Sequence, residues 1–220
     1  MADLPRDQRW AGVSAIVAFL VFTAGNLLWA LDQPVPNATG PELVAFYKDS
    51  ASRIVTGGSL SLISVAIFVV FGASVSSVLK RLTGDDLLGK IAFGGILLGC
   101  AAGLGAESIN MAAAIRADDG TLTEPLAEAL FDISYMFGSY AGGVGFGLAM
   151  VAIGAAALQS RALLPRWLAM VFVVVGVALV TPLTAYLIGE YALAPSFLLL
   201  FVLGVLLIRG SAQPAAMPPG

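Results

Sequence analysis

The chain has 220 residues, of which 59% are hydrophobic and only 11% charged, with a mean hydropathy of +0.93 and a formal net charge of −3. A soluble domain carries about 25% charged residues, so a soluble globular enzyme and a disordered chain are excluded, and 11 Lys and Arg against 14 Asp and Glu leave no basic surface for nucleic acid. With no histidine and a single cysteine, Cys100, imidazole catalysis, His-held metals, internal disulfides and cysteine-held clusters drop out as well, which leaves an all-α polytopic membrane bundle with no metal or other cofactor expected.

In chain order, six stretches supply the about 20 predominantly apolar residues that a spanning helix needs, since hydrocarbon offers nothing to pair with free backbone groups. They are Ala11–Leu31, Ile54–Leu79, Gly89–Ile115, Ile133–Leu158, Trp167–Ile188 and Ala192–Ile208. Together they make one transmembrane domain over residues 1–210, followed by a Pro- and Ala-rich tail, 211–220, expected as disordered. The first stretch exceeds the about 7–15 apolar residues of a signal peptide and has no small-residue cleavage site after it, so it reads as a retained span. Before the second span, Pro41 and Glu42 open a short helix, Pro41–Ile54, in which Leu43, Phe46, Tyr47, Ala51 and Ile54 recur at helical spacing. Glu124–Asp132, led by Pro125, repeats the pattern before the fourth span. Each is expected as an outward extension of the span that follows it.

Orientation follows from the cations. With the N-terminus in the cytoplasm, Arg6, Arg9, Lys80, Arg81, Lys90, Arg161, Arg166 and Arg209 fall inside, and only Lys48, Arg53 and Arg116 outside. Both termini are then cytoplasmic. Trp10, Trp29 and Trp167 stand at span ends and read as interfacial belt residues, and Arg53 and Asp132 share the outer boundary where an ion pair is possible.

Span three carries Gly95, Gly99 and Gly103 at a period of four, and span four carries Gly138, Gly142, Gly143 and Gly147. Such ridges let helix backbones approach closely, so these seven glycines are expected at helix contacts, within the chain or in a homo-oligomer. Glu107 continues the span-three ridge, nine residues before Arg116 and so about 13 Å from it. A carboxylate at that depth costs about 2.5–3.5 kcal/mol near the helix centre, so it must face protein or water. Depth matching places Asn26, Asn110, Thr181 and Thr184 around it as candidate ligand-binding residues, with Thr23, Ser61, Ser64 and Tyr140 near the same level and Pro182 free to kink span five. Two roles stay open for Glu107: a binding or proton site, and a hydrogen-bonded structural acid.

The segment Glu42-Leu43-Val44-Ala45-Phe46-Tyr47 leading through Arg53-Ile54 into a span, the step Leu164-Pro165-Arg166-Trp167, and a terminal span ending in Arg209 resemble an uncharacterised bacterial family of small six-span membrane proteins known only as a domain of unknown function. The likeness runs over nearly the whole chain. It implies a multi-pass protein of the bacterial cytoplasmic membrane and supplies no activity or catalytic residue.

Two functional classes follow. One is a transporter- or sensor-like protein binding a small solute, ion or lipid in an outward-facing polar pocket around Glu107. The other is a non-catalytic accessory subunit that packs through its glycine-rich faces against a membrane-protein partner. Without histidine or paired intramembrane acids, the inventory for an enzyme is thin, and no catalytic residue is assigned.

Overall fold

The computed structural model describes residues 5–35, 37–160, 163–181 and 193–210, and every regular element among them is helical. Four helices are long and apolar enough to cross a membrane: α1 (Arg6–Leu27), α3 (Ala51–Thr83), α4 (Asp86–Asp118) and a continuous helix over Glu124–Ser160. That last helix comprises α5 (Glu124–Tyr135), a π-helical turn (Met136–Ala141) and α6 (Gly142–Ser160). Two shorter apolar helices, α7 (Arg166–Val180) and α8 (Ala194–Arg209), match parts of the fifth and sixth expected spans. The expected tail, Thr184, Pro182 and the far end of span five lie outside the described residues.

Local chemistry sets the ends. At the close of α3, Gly84 takes a left-handed φ of 73° and returns its N–H to Lys80 O, a conformation that glycine adopts without the Cβ penalty. One residue on, the Asp85 side chain caps α4 by accepting from the N–H of Leu87 at 2.9 Å. The α3–α4 hairpin is therefore tight. At 33 residues each, these helices run about 50 Å, well beyond a hydrocarbon thickness of about 30 Å.

Helices pack in a chain of neighbours, α8 on α1, α1 on α3, α3 on α4, α4 on α6 and α6 on α7. Glycine marks the crossings. A methyl on Gly25 would fall 2.6 Å from Gly57 O, one on Gly95 2.7 Å from both Gly145 O and Ala149 N, and one on Gly147 2.7 Å from Gly176 O. Such contacts are how spans associate when hydrophobicity offers no preference between lipid and protein.

The two ends of the bundle differ. At the terminal end, Gln8 Nε2 donates to Leu207 O at 3.0 Å, Arg81 pairs with Asp7, and Lys80 pairs with Asp86 at 2.9 Å. The start of α1 and the ends of α3 and α8 therefore share one side. The opposite, cap end carries α2 (Gly40–Asp49) lying on α4 and α5. Its core is separate from the main one and includes Trp29, Leu43, Phe46, Tyr47, Ile54, Ala113 and Phe131.

Several expectations are corrected here. Only one of the two proline-led helices is an extension of its span. α5 runs on into α6, whereas α2 is broken from α3 at Ser50, whose φ of −107° and ψ of 5° are not helical. The break lets α2 fold across the bundle and bury Tyr47 completely. Arg53 pairs with Asp32 at 2.6 Å, not with Asp132, and Trp29 is a buried core residue, 4% exposed, unlike the exposed Trp10 and Trp167. The glycine expectation fails at Gly103, where an added Cβ meets nothing within 4 Å. Gly138, Gly142 and Gly143 have only ordinary contacts at 3.4–3.9 Å, while Gly95, Gly99 and Gly147 sit at close approaches. The physical reason is facing: Gly103 looks into open space, while Gly105 and Ala106 beside it keep α4 against the π-helical turn at Phe137 and Gly138.

Candidate functional site: a cavity between two cores

That space is a cavity of about 610 Å³ lined by α1, α3, α4, the π-helical turn, the start of α6 and the first turn of α8. It interrupts the apolar interior: the main core lies below it and the cap core above. The floor is aromatic. Phe22, Phe68 and Phe146 each pack on Phe197, with ring centroids 4.5, 5.8 and 5.0 Å away. Trp29 lines the wall nearer the cap, and Leu27, Leu31 and Leu198 stand exposed at the rim.

Polar groups gather on the wall from Ser61 and Ser64 of α3, Glu107 and Asn110 of α4, Asn26 of α1, and Ser134 and Ser139 beside or within the π-helical turn. Most are satisfied locally. Ser64 Oγ donates to Ser61 O at 2.7 Å, Ser134 Oγ to Phe131 O at 2.9 Å, and Asn26 Nδ2 to Phe22 O at 3.0 Å and Ser61 Oγ at 3.4 Å. Tyr47 reaches down from the cap to donate its hydroxyl to Asn110 Oδ1 at 2.9 Å. Burial pushes the Tyr47 phenol well above its ordinary range, with the Ser134 side chain opposing the shift, so it remains a donor at neutral pH.

Glu107 is the exception. It is 8% exposed, and its Oε2 is buried without a partner. A methyl on Gly58 would lie 3.3 Å from that oxygen, so glycine is what leaves it room. Among the described residues, the only other buried side-chain nitrogen or oxygen atoms without a partner are Nε1 of Trp29, a residue that also lines the cavity, and Ser160 Oγ at the end of α6. Buried polar atoms are nearly always paired, so two orphans on residues that line one cavity are informative.

The π-helical turn shapes the side opposite α1. Its wide hydrogen bond runs from Gly142 N–H to Phe137 O, and Tyr135, Gly138, Ser139 and Gly142 around it all border the cavity. Such turns recur at functional sites because they widen one turn of an otherwise regular helix.

Of the five residues predicted to bind a ligand, Glu107, Asn110 and Asn26 come together on this cavity. Thr181 is exposed, with its hydroxyl donating to Ala178 O at 2.7 Å, and is not on the wall, and Thr184 lies outside the described residues. Thr23, Ser61 and Ser64 also line it, whereas Tyr140 packs on Tyr135 at 6.2 Å. Sequence reasoning missed Trp29, the phenylalanine floor and the π-helical turn. The Gly57-Gly58 pair facing Trp29 and Glu107 was the available signal, since paired glycines in a span mark close approach from two directions. The chain matches no family model, no curated protein and no solved structure.

Proposed function

We propose that the protein is a six-span membrane protein of the bacterial cytoplasmic membrane, with both termini cytoplasmic, that holds a small solute or lipid-like molecule in the cavity beside Glu107, as a transporter or sensor does. The observation that carries this reading is Glu107, the only carboxylate among the described residues on the wall of a cavity of about 610 Å³, with an Oε2 that no group of the chain pairs. That volume lies within the about 300–1,000 Å³ of small-molecule sites, and an apolar wall with a few convergent polar groups is their usual make-up. A structural acid would have its oxygens paired by the protein. The accessory-subunit alternative is less favoured, because Gly95, Gly99 and Gly147 are already occupied by helices of the same chain.

Native mass spectrometry of the protein in nanodiscs tests the reading. Wild type is expected to retain a bound molecule, and Gly103→Leu, which pushes a side chain into the cavity, to lose it while melting as wild type does. A wild type that retains nothing, or a Gly103→Leu variant that retains the same mass, overturns it. Orientation is tested in a Cys100→Ala background: a membrane-impermeant thiol reagent should label Asp119→Cys in intact cells and leave Asp85→Cys unlabelled. The reverse pattern inverts the topology.

A further inference from the structure

Within that binding reading, on which this inference rests, we infer that the molecule taken by the cavity is a cationic amphiphile: an ammonium bearing at least one N–H, attached to an apolar or aromatic body. Glu107 is the only carboxylate on the cavity wall among the described residues, and no lysine or arginine lines it. When that buried carboxyl is ionised, no group on the wall neutralises it, so a cation from outside the chain is the partner that can replace its proton.

A metal cation does not fit. Calcium takes about six to eight oxygens and magnesium an octahedral set, whereas Glu107 is joined on the wall by scattered hydroxyl and amide groups. Among them the Asn110 carbonyl already accepts from the Tyr47 hydroxyl, and the single carboxylate supplies one negative charge against the cation's two. An ammonium needs far fewer acceptors, and the Glu107 carboxylate on the wall offers one in a charge-assisted hydrogen bond. The rest of the volume selects the body. Below Glu107 the cavity is floored by Phe22, Phe68, Phe146 and Phe197, which favour apolar and aromatic groups and tolerate a nearby cation over their faces.

The approach has the matching sign. The cap-end segments 32–53 and 116–132 hold eight carboxylates, Asp32, Glu42, Asp49, Asp118, Asp119, Glu124, Glu128 and Asp132, against Lys48, Arg53 and Arg116. A surface of that sign concentrates cations at the cavity's end of the bundle.

The test uses three probes with one skeleton and different heads: 4-phenylbutylammonium, 4-phenylbutanol and 4-phenylbutyrate. Binding is measured by equilibrium dialysis of the full chain in nanodiscs, with empty nanodiscs subtracted. The ammonium is expected to bind at least about tenfold more tightly than the alcohol, as a charge-assisted hydrogen bond provides, and the carboxylate more weakly than both. Glu107→Gln should bring the ammonium down to the alcohol's affinity and leave the alcohol unchanged. Equal wild-type affinities for ammonium and alcohol overturn the head-group assignment while the cavity reading stands, and this comparison needs no variant. An ammonium preference that persists in Glu107→Gln also overturns it. If none of the three binds wild type, the inference falls, and with a mass spectrum free of bound molecules the cavity reading falls with it.

Discussion

Two stretches of α4 share one sequence pattern and do different things. At Gly95 and Gly99 the missing side chains are filled by α6: backbone atoms of Gly145 and Ala149 sit 2.7 Å from a methyl on Gly95, and the Phe146 ring 2.8 Å from one on Gly99. At Gly103, one turn further, the same missing side chain borders empty space, and the turn after that presents Glu107 to it. The difference lies in facing. A small residue turned toward a neighbouring helix permits contact, while one turned toward the gap between helices leaves volume.

That comparison can be broken by single substitutions, the harshest at Gly145. Its methyl would run into the backbone of Gly99, and no rotamer relieves a clash with main chain. Gly145→Ala should cost at least about 1–3 kcal/mol, lowering the melting temperature of the detergent-purified protein. Gly103→Leu should melt within about 0.5 kcal/mol of wild type, as substitutions that meet no special feature do. If the two variants melt alike, the distinction between filled and empty glycines is lost.

Tyr47→Phe probes the polar side with a smaller effect. It leaves Asn110 Oδ1 without its donor in a buried setting, which should cost about 1 kcal/mol and be visible as a lowered melting temperature. An unchanged melting temperature would mean that the cap is not coupled to the cavity wall through this bond.

The smallest effect lies at the start of α2. Glu42 Oε2 accepts from the Thr39 N–H at 2.8 Å and the Thr39 hydroxyl at 2.9 Å, and these bonds hold its carboxyl below the ordinary range. A depressed folded-state pKa contributes stability above the unfolded value and loses it as pH falls through the folded one. Acidification through the carboxylate range should therefore loosen the cap slightly in wild type, and Glu42→Gln should flatten that limb of the melting-temperature curve. The group is fully exposed, so a curve of the same shape in both would show that solvent screens it.

How much of this was legible in the sequence varies with the physics involved. The long helices were, because apolar length alone dictates them. Glu107, Asn110 and Asn26 could be placed at one depth by counting residues from the span ends, since a helix advances about 1.5 Å per residue. Depth says nothing about facing, which is why Thr181 was misplaced and Trp29 was assigned to the membrane interface. Whether Gly103 meets a helix or a void depends on where the neighbouring helices lie, which no residue of α4 encodes. The break at Ser50 was hidden for a related reason: the apolar period of Leu43, Phe46, Tyr47 and Ile54 reads the same through a straight helix or a folded-back one.

The π-helical turn at Met136–Ala141 acts as an adjustment of phase. Each residue of an α-helix advances the side chains by about 100°, and a π-helical turn absorbs one residue without that advance. The helix above it aims Ser134 and Tyr135 at the cavity, and the helix below aims Gly145 at α4 and Gly147 at α7. Deleting one residue within 136–141 would restore a regular helix and swing one of those two sets away from its target. The extra residue thus keeps a contact face and a binding face in register on a single helix, so this segment should be less tolerant of changes in length than of changes in composition.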